Sequence, residues 1–177
     1  ANITNMKLES QFRCNGSDGY LSWLDNKLQI TDTANENIEG LGYDFRVFDN
    51  PSSLYEEIIN LNKPRNKARL VAGYCWNWVS KKDPSKFDIV INDFKAQWNL
   101  NSHGQSWIIH PESVNQIGCI HTTQGLEVDY VGVIIGPDLL VRDGKVITLP
   151  EERASTDKSI FGWKNLMRED PEFAKVQ

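Results

Sequence analysis

Residues 119–139 read CIHTTQGLEVDYVGVIIGPDL. The apolar runs Ile117 to Ile120 and Val131 to Ile135 have the length and character of buried strands. The link between them, HTTQGLEVD, carries a histidine, two hydroxyls, an amide, a glycine and two acids. In parallel α/β sheets, ligands gather beyond the carboxyl ends of the strands, and this link leaves such an end. Gly125 lets the backbone turn tightly or approach a ligand closely. Thr122, Thr123 and the exposed amides suit phosphate oxygens. Glu127, an acceptor only when ionised, suits a sugar hydroxyl better. The same residues also fit a capped helical turn whose hydroxyls serve its own backbone. Residue chemistry leaves both readings open.

Outward from this stretch, apolar spacing sets the other elements. Met6 to Arg13 alternates apolar and polar residues as a half-buried strand does. Asn15, Ser17 and Asp18 are N-cap candidates for a helix bearing Tyr20, Leu21, Trp23, Leu24 and Leu28. Residues 31–42 read as a loop and Tyr43 to Phe48 as a strand. Asn50-Pro51-Ser52-Ser53 opens a helix through about Leu61. ARLVAGYC, starting at Ala68, is a buried strand, and Phe87 to Ile91 is a shorter one. Residues 92–112 place Trp98 and Trp107 on loops. Asp143-Gly144, between Leu139-Val141 and Val146-Leu149, marks a hairpin. In the charged tail from Glu151, Ile160 to Met167 is the helical segment. Strands alternating with helices predict a layered α/β domain with a mostly parallel sheet.

Composition narrows the functional classes. The 177 residues are 40% hydrophobic and 24% charged, ordinary values for a folded soluble domain. A net charge of -5 supplies no broad basic field, so any contact with nucleic acid must be local. The cluster Lys63, Arg65, Lys67, Arg69 and the pair Lys81-Lys82 are the candidates. Cys14, Cys75 and Cys119 are widely spaced and form no CxxC pair, which speaks against a disulfide framework and a zinc site and suits a cytoplasmic location. No apolar stretch has the length of a membrane span. The chain opens Ala-Asn-Ile-Thr without an initiator methionine and reads as a piece of something longer.

HTTQGLEVDYVGVIIG resembles motif V of superfamily 1 helicases, in which a strand, a polar turn ending in Gly-Leu-Glu and an apolar strand follow in that order. LESQFRCNGSDGYLSWLD, Leu8 to Asp25, resembles the motif IV region of the DUF2075, or Schlafen group 3-like, DNA/RNA helicase family, and ARLVAGYCWNW and QWNL are similar to other segments of it. The resemblance runs from about Met6 to Met167. It implies a three-layer RecA-like domain of the P-loop NTPase type, the second of a helicase's two, over residues 1–150, with 151–177 a charged extension towards a motif VI that has no match in this chain. It implies that Arg13 is catalytic and reaches the nucleotide γ-phosphate, with Gln11 beside it, and that Gly125 and Glu127 line the ATP site. His121, Thr122, Thr123 and Gln124 correspond to positions that face nucleic acid or couple it to the nucleotide. DNA or RNA, and the N-terminal RecA-like domain of the same parent chain, are the implied partners.

The chain has no GxxxxGK[ST] phosphate loop and no strand ending in an Asp-Glu pair. ATP and magnesium are therefore expected to be held mainly by the other domain, and this piece alone is not expected to hydrolyse ATP. No metal ligands are assigned. Two alternatives remain. Asp93-Phe94-Lys95 has the (D/E)xK form of a metal-dependent nuclease, with Asp88 as an upstream acid at too short a spacing. The six tryptophans, including Trp76, Trp78, Trp98, Trp107 and Trp163, suit a non-catalytic interaction module or a base-stacking surface as well as core packing.

Overall fold

A computed structural model describes residues 18–99, 104–123 and 127–170. The predicted strand Met6 to Arg13 lies outside them. The described residues fall into two compact units, those up to 47 with 142–146, and those of 48–141 with those from 147 on.

In the first unit, helix α1 (Asp18–Lys27) buries Trp23. Tyr43 to Phe48 does not form the predicted strand. Its alternating aromatics face α1 instead: Tyr43 stacks on Tyr20 with centroids 4.0 Å apart, and Phe45 meets the Trp23 ring edge-on at 4.9 Å. Period-two spacing served helix packing here because the segment has no strand beside it among the described residues.

The second unit is built on a small parallel sheet. Strands β1 (Ala68–Ala72), β4 (Ile117–Gly118) and β5 (Tyr130–Ile134) lie in the order β4-β1-β5. Leu70 pairs with Ile117 on one side and Gly132 on the other. An antiparallel pair accompanies it, β2 (Ile89–Ile91) with β3 (Phe94–Ala96); a second pair, β6 (Leu139–Arg142) with β7 (Lys145–Thr148), has its turn in the first unit. The β6–β7 turn takes positive φ at Asp143 (51°) and Gly144 (73°), as the Asp-Gly hairpin signal requires.

Helix α2 (Pro51–Asn62) begins where the sequence predicts. Asn50 caps it by accepting a hydrogen bond from the Ser53 amide, and Pro51 sits in the first turn. Its apolar side covers one sheet face through Leu54 and Ile58. A Cβ on Gly132 would lie 2.6 Å from Leu70 and 2.9 Å from Ile58, so the absent side chain lets α2 sit close to β5.

The opposite face is covered unevenly. Gly118 lies under Trp107, which belongs to a 3-10 segment (Gly104–Ile109) and is fully buried. Trp98, also fully buried, makes a parallel bridge to Ile117. Neither tryptophan is on an open loop; each is part of the core. On β5, however, Val131 and Val133 are 52% and 55% exposed. This strand was expected to be buried on both sides. Among the described residues it is an edge strand, and the cover built from residues 104–115 and 120–123 lies over β4 and β1, leaving the outer valines exposed.

Candidate functional site

The polar link forms a crossover from β4 to β5. After Gly118 the chain makes a single helical turn, α3 (Ile120–Thr123), and reaches β5 through Asp129, whose amide donates to the Lys67 carbonyl at 2.8 Å. Because β1 lies between β4 and β5, the link has to cross β1. Ile117 to Ile120 is thus a shorter strand than predicted, with Ile120 64% exposed at the start of the turn.

Both threonines are engaged inside the turn. Thr123 Oγ1 donates to the carbonyls of Cys119 (3.3 Å) and Ile120 (3.2 Å), while Thr122 Oγ1 lies 3.1 Å from Cys119 Sγ. The Thr122 amide donates to Cys119 O at 3.0 Å and the Cys119 amide to Asn99 Oδ1 at 3.3 Å. The hydroxyls hold the turn in shape, as a capped turn requires. His121 and Glu127 are exposed. Gln11, Arg13, Gln124 and Gly125 lie outside the described residues.

Near the start of β1 stands a buried cation. Arg69 is 1% exposed and, among the described residues, pairs with no carboxylate. Its guanidinium donates to Ser113 Oγ (2.9 Å), Asn62 Oδ1 (2.9 Å), Asn66 Oδ1 (2.8 Å) and the carbonyls of Ala68 (2.7 Å), Ile108 (2.5 Å) and His110 (3.2 Å). It also lies 5.9 Å from the Trp107 ring centroid. Burial lowers its pKa. A candidate nucleic-acid contact by sequence, Arg69 is instead a structural cross-link from β1 to the segment around Trp107.

The carboxyl ends of β1 and β5 meet a second cluster. Gly136 packs directly against Cys75, and a Cβ there would overlap Cys75 Sγ. Burial, helped by the Asp138 carboxylate, pushes the Cys75 thiol up to about 12. Arg153 lies 3.6 Å from Asp138 and donates to Asp157 at 2.6 Å. Burial works against the charged Asp157 carboxylate, but the Ser159 amide and hydroxyl and the Arg153 guanidinium outweigh it and hold that carboxyl below its usual range. The Ala154 amide donates to Tyr74 O at 2.9 Å, so residues 153–159 latch onto the end of β1.

Asp88, the acid proposed for a nuclease, has its oxygens committed. It accepts from the Ser80 amide (2.7 Å), Ser80 Oγ (2.5 Å) and the Trp98 amide (2.8 Å). Asp93 stands exposed in the β2–β3 turn. Among the described residues no group of three His, Cys, Asp or Glu side chains is placed to hold a metal ion. No helix among them is long and apolar enough to cross a membrane.

Sequence reasoning singled out Lys81-Lys82 and Trp78 without connecting them. They line one cleft with Tyr74, Asn77, Lys86 and Thr156. The closeness of two tryptophans and two lysines in WNWVSKK was the available signal; the contribution of Thr156, far along the chain, had none.

Fold and turn define a mixed α/β domain with a parallel sheet and a polar crossover at the carboxyl end of a strand. The family model described as Schlafen group 3, DNA/RNA helicase domain, matches residues 1–176, and the chain belongs to that family. It is also similar to the uncharacterized protein YPL245W of Saccharomyces cerevisiae, with 22% identity over 147 residues, covering 73% of this chain and 31% of that protein. The chain therefore spans less than a third of the curated relative it matches. No solved structure gives a significant match.

Proposed function

We propose that this chain is the second RecA-like half of an ATP-dependent DNA or RNA helicase or translocase. The observation that carries the reading is the crossover turn: its threonines are tied inward, while His121 is exposed just beyond the carboxyl end of β4 and Glu127 is exposed shortly before β5 begins. A turn so braced can transmit a nucleotide-dependent shift to a bound strand as a unit.

In this reading Arg13 is catalytic, stabilising charge on the γ-phosphate, with Gln11, Gly125 and Glu127 completing this wall of the ATP site. His121 and Gln124 contact nucleic acid, and Thr122 and Thr123 couple the two ligands by holding the turn. ATP and its magnesium sit mainly on an N-terminal RecA-like domain of the same parent. Residues 1–150 form the RecA-like domain in three layers, and 151–177 extend towards motif VI.

The test is ATP hydrolysis by the full-length protein with and without single-stranded DNA or RNA. Stimulation by nucleic acid, reduced about a thousandfold by Arg13→Ala, is the expected result. Full-length protein that hydrolyses no ATP sinks the proposal. So does magnesium-dependent turnover by the 177-residue chain alone that exceeds its Gln11→Ala, Arg13→Ala variant.

A further inference from the structure

We propose that the cleft between Tyr74, Trp78, Lys81, Lys82, Lys86 and Thr156 binds single-stranded nucleic acid, with phosphates on the lysines and a base against the indole. The inference deepens the nucleic-acid part of the proposed function by naming a contact surface apart from the crossover turn.

The cleft has a volume of about 470 Å³, within the ~300–1,000 Å³ range of ligand clefts. Three lysines and one aspartate line it, a local excess of positive charge on a chain whose net charge is -5. Asp83 is turned to its own loop: Ser85 donates to it through both amide and hydroxyl, and Lys86 lies 3.6 Å away. Those hydrogen bonds, with Lys86, hold the Asp83 carboxyl below its usual range. Lys82 is exposed and makes no ion pair among the described residues. Phosphate is the ligand such a wall attracts.

Aromatic surface stands beside the charge. Lys81 Nζ lies 5.4 Å from the Trp78 ring centroid, and Trp78 is half-buried against Trp98. A base stacking on this indole would displace the ammonium towards the adjoining phosphate, so one residue pair serves both parts of a nucleotide. Opposite, Asn77 Oδ1 accepts from Ser155 Oγ and Thr156 Oγ1, leaving its NH2 group as a donor for sugar or base.

The lysine loop is also held in place. Ser80 is clamped at one end by Asp88, and Gln97 Nε2 donates to Pro84 O (2.6 Å) and Lys86 O (2.8 Å). A loop fixed before binding loses little entropy on binding, unlike a run of lysines on a mobile surface.

The experiment measures fluorescence anisotropy of labelled oligo-dT and oligo-U with the 177-residue chain, without ATP, across a salt series. Binding to one or both is expected, and the stronger of the two identifies the preferred sugar. Lys81→Glu/Lys82→Glu should weaken it at least about tenfold and lower the slope of log affinity against log salt by about two. Trp78→Ala should weaken it about tenfold and Trp78→Phe far less. Lys27→Glu/Lys145→Glu, an equal charge change at exposed residues outside the cleft, should have little effect. The proposal is overturned if neither oligonucleotide binds, if both lysine pairs weaken binding equally, or if polyglutamate competes as well as oligo-dT. Absent binding alongside nucleic-acid-stimulated ATP hydrolysis by the full-length protein would reject the cleft and leave the motor reading standing; the reverse outcome would do the opposite.

Discussion

Trp107 fills the space that a side chain on Gly118 would need: a Cβ there would lie 2.7 Å from the indole Cη2 and 3.1 Å from Thr123 Cγ2. The glycine thus fixes how closely the Trp107 segment and the crossover turn approach the sheet. Trp107 cannot easily withdraw, since Nε1 donates to Gln116 Oε1 at 2.9 Å in a buried setting. Gly118→Ala is expected to cost about 1–3 kcal/mol through overpacking. Urea unfolding of Gly118→Ala, Trp107→Leu and the double variant checks it, because the smaller partner should recover part of the loss.

Arg69 poses a different balance. Its charge is buried among neutral acceptors, each satisfied through the fork of the guanidinium. Lysine retains the charge but has fewer donors on one centre and cannot bridge Ser113, Asn62 and Asn66 together. Arg69→Lys should therefore destabilise by about 2–4 kcal/mol, as buried acceptors lose partners. Chemical denaturation would show it, and a loss under about 0.5 kcal/mol, the size of an ordinary surface substitution, would contradict the cross-link role.

How far the sequence revealed this arrangement depends on the range of the interaction. The α2 start was readable because Asn50, Pro51 and Ser53 act within one turn. The Asp143-Gly144 hairpin was equally local. Strands β1 and β5 were found by apolar content, but content could not show that Val131 and Val133 would face solvent, since that depends on which strand lies at the edge. Arg69 looked like part of an exposed basic run because its acceptors, from Asn62 to Ser113, come together only in the fold. At the candidate site, the chemistry of 121–129 was legible, yet the choice between ligand contact and self-capping for Thr122 and Thr123 needed the geometry of the turn.

Cys75 should be a slow nucleophile. With its thiol raised to about 12 against an ordinary value of 9.0, the folded protein holds little thiolate at pH 8. Reaction with a disulfide reagent should be slow in the native state and fast after denaturation. Asp138→Asn should lower the pKa and speed the native reaction. Because the folded pKa lies above the unfolded one, this group's contribution to stability is complete below about pH 9 and falls as pH rises towards 12.

The two faces of β5 should respond unequally to truncation. Ile134 is 6% exposed and lies on the face covered by α2, whereas Val133 is 55% exposed. Ile134→Ala is expected to cost about 2–4 kcal/mol and Val133→Ala less than about 1 kcal/mol. Equal losses in thermal or urea unfolding would mean that Val133 is covered in solution.

Within the crossover turn, stability and activity should separate. Thr123→Val keeps the shape of the side chain but removes the hydroxyl that donates to Cys119 and Ile120. It should cost about 0.5–1.5 kcal/mol. His121→Ala and Glu127→Gln alter exposed side chains and should change stability by less than about 0.5 kcal/mol. If the turn joins nucleotide to nucleic acid as proposed, those two stable variants should still lose most of the nucleic-acid stimulation of ATP hydrolysis in the full-length protein. Parallel unfolding and turnover assays make the comparison. Full stimulation in both exposed-residue variants would return the turn to a purely structural role.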